Sequence, residues 1–480
     1  MTTSIDSLQD ALAAHGQEHV LRYWEELTDD ERAALAAQIE EIDLAQMERL
    51  IDIWVKNEPK PEHFDAITPV PVVPPVDPSR ADAKEALAAG EDALRAGRIG
   101  LVVVAGGQGT RLGYDGPKGA YPIGALTERT LFAYHADKIH GLQRRYGVTL
   151  PWFVMVSDTN RAETEAYFQQ HAFFGLDPAD LKFFQQKMVP CVDANGKYML
   201  DSKGVLAMNP NGHGGSLLAL IDEGIVAECR SRGIDTLSYF QVDNWAVKVA
   251  DPYFLGYHLL GQSEFSSKVH RKREARESVG VHCMCDGVPH VIEYSELDIY
   301  PKLLETDADG KPVHFAGNPA IHVLDIGFVE RVYNEFERFP WHRAHKKIPY
   351  IDNNGQRVEP DAPNGYKFET FIFDALQLTE RAPVALEILA PGEYTPIKQM
   401  DGPNSVTAAR ASMAAYWSEW LEAAGMTIER DGDGNPVHLV EISPRFALDK
   451  AEFVEKTQGV SWPAPGPIFV DGVGTIFQGR

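Results

Sequence analysis

The sequence predicts an α/β protein: a mostly parallel, mixed sheet flanked by helices, with a helical region before it and a small α+β region after it. Three observations carry this expectation. Short, continuously apolar runs alternate with helical patterns between residues 99 and 243. A glycine-rich loop follows the first of those runs, at the end of a strand where open parallel sheets keep their ligands. The chain has 480 residues, enough for two or three domains with substantial cores.

The elements follow in order. "SLQDALAAHGQEHVLRYWEEL" places Leu8, Leu12, His15, Val20 and Trp24 at roughly helical spacing. Thr28 followed by Glu31 is a capping pattern that opens a second helical stretch, running to about residue 56. Pro59, Pro61, Pro69, Pro71, Pro74, Pro75 and Pro78 forbid helix and central strand there and predict an extended strap. "ADAKEALAAGEDALRAGR" is one more helix, stopped near Gly97. "IGLVVVA" is a buried strand, followed by a loop and a helix near residues 131–142. The strand "WFVMVS", the helix "TNRAETEAYFQQHA", the strand-like "KFFQQ", the helix "GSLLALIDEGIVAECRSRG" and the strand "TLSYFQVDN" complete the alternation. From about residue 396 a smaller mixed region is expected, with a hairpin at the Asp-Gly-Asp-Gly-Asn turn of residues 431–435. The expected domains are residues 1–97, 98–395 and 396–480.

The formal net charge of −25 argues against non-specific binding to nucleic acid or to an anionic membrane surface. The basic run "KVHRKREAR", with Lys268, Arg271, Lys272, Arg273 and Arg276, is interleaved with Glu274 and Glu277. It reads as a solvated face or a phosphate-proximal edge rather than a nucleic-acid site. No apolar run approaches 18 residues and the amino terminus lacks a signal-peptide pattern, so a cytoplasmic protein is expected. Cys191, Cys229, Cys283 and Cys285 read as reduced thiols; the Cys283–Cys285 C-x-C has no second pair close in sequence to complete a metal site. The pattern fixes no oligomeric state.

The most informative stretch is "LVVVAGGQGTRLGYDGPKG", residues 101–119. As a dinucleotide fingerprint it fails, because Leu112 stands at the third glycine position and Gly113 comes one residue late. As a P-loop it fails too, because Lys118 is preceded by Pro117 and followed by Gly119. What remains lets backbone N–H groups converge on a phosphate chain, with Arg111 and Lys118 as cationic donors. Asp243, at the end of "SYFQVDN", is either a turn former or a metal ligand, and its strand-end position favours the ligand.

The loop closely resembles the nucleotidyltransferase signature of the UDP-N-acetylglucosamine pyrophosphorylases, which belong with the UDP-glucose pyrophosphorylases to the eukaryotic-type UDP-sugar pyrophosphorylase family. The resemblance continues in order through "FFQQKMVP", "NPNGHGGSLLAL", "QVDNWAVKVADPYFLGY", "SSKVHRKREARESVG", "VIEYSEL", "GNPAIHVLDIGF", "HKKIPYID", "NGYKFETFIFD", "YTPIKQMDG" and "EISP". It covers residues from about 100 to 445. It implies a Rossmann-like nucleotidyltransferase domain, Mg²⁺ as cofactor, UTP and a sugar 1-phosphate as substrates, and a UDP-sugar and pyrophosphate as products.

Carried over residue by residue, the resemblance places Ala105, Gly106, Gly107 and Gly109 on the nucleotide, with Arg111 and Lys118 at its β- and γ-phosphates. Lys398, in "TPIKQ", falls near the reacting phosphates and Asp243 on the metal. Gln186 would read uracil, since an amide supplies one donor and one acceptor; Gln185 is the alternative, because strand alternation turns only one of them inward. Gly212 and Gly214, flanking His213, would let the backbone close on the base. Glu293, Tyr294 and Asn318 would contact the sugar. Phe371 and Phe373, with Tyr294, would wall its acetamido methyl, with a core role as the alternative for the two phenylalanines.

One position departs from the pattern. "NGHGG" puts His213 where the N-acetylglucosamine enzymes usually carry a substrate-contacting asparagine and the UDP-glucose enzymes a histidine. His213 is thus either a changed sugar or uridine contact, or a buried histidine satisfied by the backbone. N-acetylglucosamine 1-phosphate leads, and glucose 1-phosphate or a relaxed specificity stays open. A non-catalytic UDP-sugar-binding protein would be expected to lack Lys118, Lys398 or Asp243, and all three are present.

Overall fold

The computed structural model describes residues 5–57, 60–390 and 392–478, so Pro59 of the strap lies outside the described residues. Two compact units form. The larger comprises Phe64–Gln185, Leu220–Asn334 and the chain from Ala375 onward; the smaller comprises the chain up to His63, Gln186–Ala219 and Glu335–Asp374.

The larger unit is built on an 11-stranded sheet. Its strands are β1 (Ile67–Pro69), β2 (Ile99–Val104), β3 (Trp152–Val156), β4 (Leu181–Gln185), β5 (Thr236–Gln241), β6 (Phe265–Arg271), β7 (Val281–Cys285), β8 (Val288–Ile292), β9 (Ala316–Gly317), β10 (His322–Asp325) and β11 (Ala385–Ile388). The order is β1-β7-β9-β6-β10-β5-β2-β3-β4, with β8 beside β7 and β11 beside β6. β5, β2, β3 and β4 run parallel, in register from Gln241 opposite Val104 to Val156 opposite Gln185. This is the expected alternation. Continuously apolar strands are buried because helices cover both faces of a parallel sheet, and β2, β3 and β5 are buried almost throughout. Across β10 the pairing turns antiparallel, and β6 with β11 is the remaining parallel pair. The sheet is therefore mixed, with its parallel quartet where the glycine loop emerges.

Local signals decide several elements. The helix Leu131–Tyr146 starts on Thr130, whose hydroxyl accepts the Ala133 N–H, and stops at Gly147 with φ of 67°. Thr28 and Glu31 form the expected capping box on the helix Asp29–Glu40. The helical stretch breaks after it, and Asp43 caps a separate helix, Leu44–Ile51. Gly224, at φ of 72°, likewise divides Ser216–Asp222 from Ile225–Ser231. The strap reaches the sheet: Ile67–Pro69 forms β1 at its edge, where proline is tolerated, and the Val73 N–H donates to the Ala385 carbonyl at 2.8 Å.

The expected boundaries at residues 97/98 and 395/396 do not coincide with the two units. The helix Ala81–Arg95 packs inside the larger unit against the helix Pro252–Leu260. The approach is so close that a Cβ on Gly90 would lie 1.8 Å from the Pro252 carbonyl oxygen. At the other end, Trp417, Trp420 and Leu421 of the helix Val406–Ala423 join the same hydrophobic core as β2 and β3. Glu441, 1% exposed, accepts hydrogen bonds from the Leu126 and Thr127 N–H groups and from the Tyr134 hydroxyl. Residues 396–478 are therefore part of the larger unit's core.

The smaller unit carries a three-stranded sheet in the order His342–Lys346, Gly365–Glu369, Val192–Asp193, and a pair formed by Met188–Pro190 and Met208–Pro210. One turn recurs through both units. Asp193, Asp307, Asp352, Asp431 and Asp471 each accept, through Oδ1, the N–H groups two and four residues on. Each is followed three residues later by a glycine at positive φ, which gives the pattern D-x-x-G-x. The turn expected at residues 431–435 is one of the five, but no hairpin forms on it: its flanks meet only in the bridge of Arg430 with Pro436, and Val440–Ile442 pairs in parallel with Ile468–Val470.

The basic run is only partly a solvated face. Lys268 is wholly buried and paired with Asp251 and Glu393, and Lys272 is buried with its Nζ donating to the Ala275 carbonyl. Arg271 pairs with Glu387, while Arg273 and Arg276 remain exposed. All four cysteines are free and buried, with the Cys283 and Cys285 sulfurs 3.7 Å apart on β7. Among the described residues no helix is long and apolar enough to cross a membrane.

Candidate active site

The glycine loop is held by its own backbone and by one asparagine. Ala105 is fully buried: its N–H donates to the Met155 carbonyl and its carbonyl accepts the Asn160 amide at 2.8 Å. Ala105 is thus an anchor of the loop. Asn160, itself buried, also accepts the Ser157 N–H at 2.9 Å. The loop closes through Gly109 N–H to the Gly116 carbonyl (2.9 Å) and Lys118 N–H to the Gly107 carbonyl (3.0 Å). A Cβ on Gly109 would lie 2.8 Å from the Tyr114 ring, so the protein's own packing demands that glycine. A Cβ on Gly107 would meet nothing within 4 Å. Gly107 is exposed, and the protein's own packing does not require a glycine there. Arg111 sits exposed on the turn Thr110–Leu112.

Lys118 reaches back to Asp243. Its Nζ donates to Asp243 Oδ2 at 2.6 Å, and both side chains are 17% exposed. The contact exists because β2 and β5 are parallel neighbours, so the loops leaving them emerge side by side. The Val242 N–H still donates to the Val104 carbonyl at 3.1 Å. Lys398 joins the same place: the Ile397 N–H donates to the Asp243 carbonyl at 3.0 Å. Burial works against the Lys398 charge, but Tyr394, Asp243 and Glu293 outweigh it and hold the ammonium's pKa above its ordinary value. Lys118, Asp243, Lys398 and the sugar candidate Glu293 therefore share one electrostatic neighbourhood.

Glu293 opens the turn Tyr294–Glu296 after β8, and Tyr294 is 50% exposed. Asn318 follows β9 and is buried, with its N–H on the Gly280 carbonyl at 2.9 Å and its Oδ1 on the Ala320 N–H at 3.0 Å. Burial lowers nearby His282 to a pKa of about 4 and keeps it neutral, against a smaller opposing influence of Asn318. His270 stacks on Tyr394, with ring centroids 4.9 Å apart.

The remaining candidates belong to the smaller unit, apart from Gln185, the last residue of β4. Gln186 is 7% exposed and Gln185 half-buried. Gly212 has φ of 85°, and a Cβ there would lie 2.2 Å from the Thr370 carbonyl oxygen. The Gly214 N–H donates to that same carbonyl at 2.9 Å. Packing against Thr370 already requires both glycines, without a base to close on.

His213 accepts the Ile372 N–H on Nδ1 at 3.1 Å, which leaves the ring proton on Nε2. Burial and the neighbouring His342 lower its pKa to about 4, so the ring is neutral at physiological pH. The backbone-satisfied alternative is therefore realised on one nitrogen, and the other is a donor. The ring stacks on Phe371 at 5.3 Å and lies 5.6 Å from Phe373. Phe371 is half-buried and also faces His342, which contacts Asp374 through Nε2 at 2.7 Å. Phe373 is 4% exposed, with its ring 5.2 Å from that of Phe371.

Among the described residues, no group of three or more His, Cys, Asp or Glu side chains could hold a metal ion. Asp243 alone fits a cation of the Mg²⁺ kind, which keeps several waters and takes its other ligands from substrate phosphates. The sequence reading passed over Asn160, Tyr394 and His270. Asn160 alone had a cue, its place just after a strand that neighbours the loop's strand.

Comparison with known proteins agrees with this geometry. The sequence matches the family described as UTP–glucose-1-phosphate uridylyltransferase over residues 62–441. It is 34% identical to the human UDP-N-acetylhexosamine pyrophosphorylase-like protein 1, covering 94% of both chains. It is 34% identical to the Saccharomyces cerevisiae UDP-N-acetylglucosamine pyrophosphorylase, covering 90% of this chain and 93% of that one. The crystal structure of the Trypanosoma brucei uridine diphosphate N-acetylglucosamine pyrophosphorylase, in complex with inhibitor, superposes with a TM-score of 0.80 at 25% identity, over 98% of this chain and 99% of that one. With its glycine loop, strand-end aspartate and α/β sheet, the chain belongs to the UTP–glucose-1-phosphate uridylyltransferase family of nucleotidyltransferases.

Proposed function

We propose that the protein is a pyrophosphorylase that transfers the uridylyl group of UTP to N-acetylglucosamine 1-phosphate, forming UDP-N-acetylglucosamine and pyrophosphate. The observation that carries it is the contact of Lys118 with Asp243, with Lys398 beside them, at the mouth of the glycine loop. The named pyrophosphorylases that resemble the whole chain support the choice of sugar.

The chemistry asks little of acid–base groups. A phosphate oxygen of the sugar phosphate attacks the α-phosphorus in line. The bond from that phosphorus to the bridging oxygen breaks, and its electron pair leaves with pyrophosphate. The sugar phosphate is already an anion, so no proton need be removed. The work is orientation and neutralisation of charge. Gly106, Gly107 and Gly109 let the triphosphate approach the backbone. Arg111 and Lys118 take the β- and γ-phosphates, where charge grows as the bond breaks, and Lys398 takes the reacting phosphates. Lys118 exchanges the Asp243 carboxylate for a phosphate oxygen, and the released carboxylate is the group that would hold a cation. A bound Mg²⁺ would supply further neutralisation of phosphoryl charge. Gln186 reads uracil, and Glu293, Tyr294, Asn318 and Phe371 meet the sugar. The free, buried thiols fit a cytoplasmic setting.

His213 favours a second reading, glucose 1-phosphate, because its neutral Nε2–H is a donor where the N-acetylglucosamine enzymes usually present an amide. Pyrophosphate release from UTP, measured in parallel with the two sugar phosphates, separates them. Turnover with N-acetylglucosamine 1-phosphate is expected to dominate. Dominant turnover with glucose 1-phosphate selects the second reading, and no turnover with any sugar 1-phosphate overturns both.

A further inference from the structure

Lys398 and Asp243 lie more than 150 residues apart in sequence, and one side chain locks their segments together. Asn244 is 1% exposed. Its Oδ1 accepts the Thr395 N–H at 2.9 Å, and its Nδ2 donates to the Glu393 carbonyl at 2.9 Å. Its backbone bridges to Pro396, and the next contact along is the Ile397 N–H on the Asp243 carbonyl at 3.0 Å. A primary amide suits this place because it offers an acceptor to an N–H and a donor to a C=O from one planar group.

A second anchor lies just beyond. The Glu393 carboxylate accepts from Lys248 at 2.7 Å and from the wholly buried Lys268, which also holds Asp251 at 2.6 Å. Burial alone would raise the Glu393 pKa, but the Lys268 and Lys248 ammonium groups hold it well below the usual carboxylate range. This quartet, buried except for Lys248, bonds neither to the glycine loop nor to any proposed substrate-contacting side chain. It fixes the strand of backbone from which Lys398 projects.

We infer that Asn244 is a positioning residue that sets Lys398 against Asp243, with the Lys248–Glu393–Lys268 pairs as its second support. This rests on the uridylyl-transfer reading above. Misplacing a reacting group by about 1 Å costs roughly 10²-fold in rate. A loosened Lys398 should therefore cost turnover more than substrate binding.

The test is a double-mutant cycle read as kcat and KM for UTP with N-acetylglucosamine 1-phosphate and Mg²⁺ present. Asn244→Ala is expected to lower kcat by about 10- to 100-fold, with the KM for UTP staying within about threefold. In a Lys398→Ala background, Asn244→Ala is expected to cost no more than about threefold further, because its effect runs through the missing lysine. Asn244→Asp, which sets a carboxylate oxygen against the Glu393 carbonyl, should not rescue. Should Asn244→Ala not fold, Lys248→Met makes the same point more gently, since that lysine is 45% exposed. Its loss of a few-fold in kcat should likewise vanish without Lys398. Losses that multiply, a rise in KM without loss of kcat, or rescue by aspartate overturns the inference. An active wild type with multiplying losses overturns it alone; a wild type that releases no pyrophosphate overturns the uridylyl-transfer reading beneath it as well.

Discussion

The larger unit meets charge with charge, whereas the smaller unit keeps its candidate group neutral. In the larger, Lys118 sits on Asp243, and Lys398 is held charged by Tyr394, Asp243 and Glu293 despite burial. In the smaller, His213 is neutral, bonded to backbone on one nitrogen and stacked on Phe371. On the proposed function, the difference is a division of labour. Phosphoryl transfer needs fixed charges that gain strength as the transition state develops. Choosing between two sugars needs only a donor or an acceptor in the right place, worth far less.

The comparison breaks most sharply at the charged end. Lys118→Ala and Asp243→Asn should each lower kcat by about 10²- to 10³-fold. Both side chains are only 17% exposed, so each variant leaves a mostly buried charge without its partner and the midpoint of thermal unfolding should also fall, for Asp243→Asn less than for Lys118→Ala because it keeps the side chain's shape. Near wild-type pyrophosphate release in either variant would remove that residue from the chemistry. At the neutral end the effect should be smaller and of another kind. His213→Asn should change the ratio of kcat/KM for the two sugar phosphates by about 2- to 10-fold, with turnover on the better sugar largely kept. A loss as steep as that of Lys118→Ala, equal for both sugars, would erase the division.

Buried neutral histidines also give a pH signature. His135 is lowered to a pKa of about 3, and His213, His258 and His282 to about 4, each chiefly by burial. Their ordinary value is 6.5, so below that pH the unfolded chain binds protons that the folded protein refuses. This contribution to stability is complete above pH 6.5 and is lost as the pH falls toward 4. The midpoint of thermal unfolding should fall steadily over that window, and a flat profile from pH 6.5 to 5 would contradict it. The smallest effect is local: Thr28→Ala removes the capping box of the first long helix in the smaller unit and should cost about 1 kcal/mol in chemical denaturation.

What was legible in the sequence was mostly local. The capping box of Thr28 and Glu31, the helix stop near Gly97 and the turn at residues 431–435 each depend on residues within a few positions, whereas the helix expected near residues 131–142 runs on to Tyr146. The glycine loop and Asp243 could be set at strand ends because parallel neighbours leave little choice of where a ligand goes. What was not legible depends on distant partners. Nothing local says that residues 186–219 and 335–374 leave the sheet to join the chain up to His63. Nothing in "KVHRKREAR" shows that Lys268 is buried, because its partner Glu393 stands 125 positions away. Asn160 and Asn244 carry no periodic signal, since a lone asparagine reads as a turn residue until its backbone partners are seen. Packing supplies a second reason for part of the expected site: Ala105 anchors the loop, Gly212 lies against Thr370 and Phe373 is buried.

The most direct test of the central claim couples product identity to Lys118. Wild type and Lys118→Ala would be incubated with UTP, N-acetylglucosamine 1-phosphate and Mg²⁺, and UDP-sugar and pyrophosphate quantified together. The account predicts that wild type forms the two in equal amounts and that Lys118→Ala, still folded, forms both at least about 100-fold more slowly. Pyrophosphate without matching UDP-sugar, or a Lys118→Ala enzyme that turns over like wild type, would contradict it.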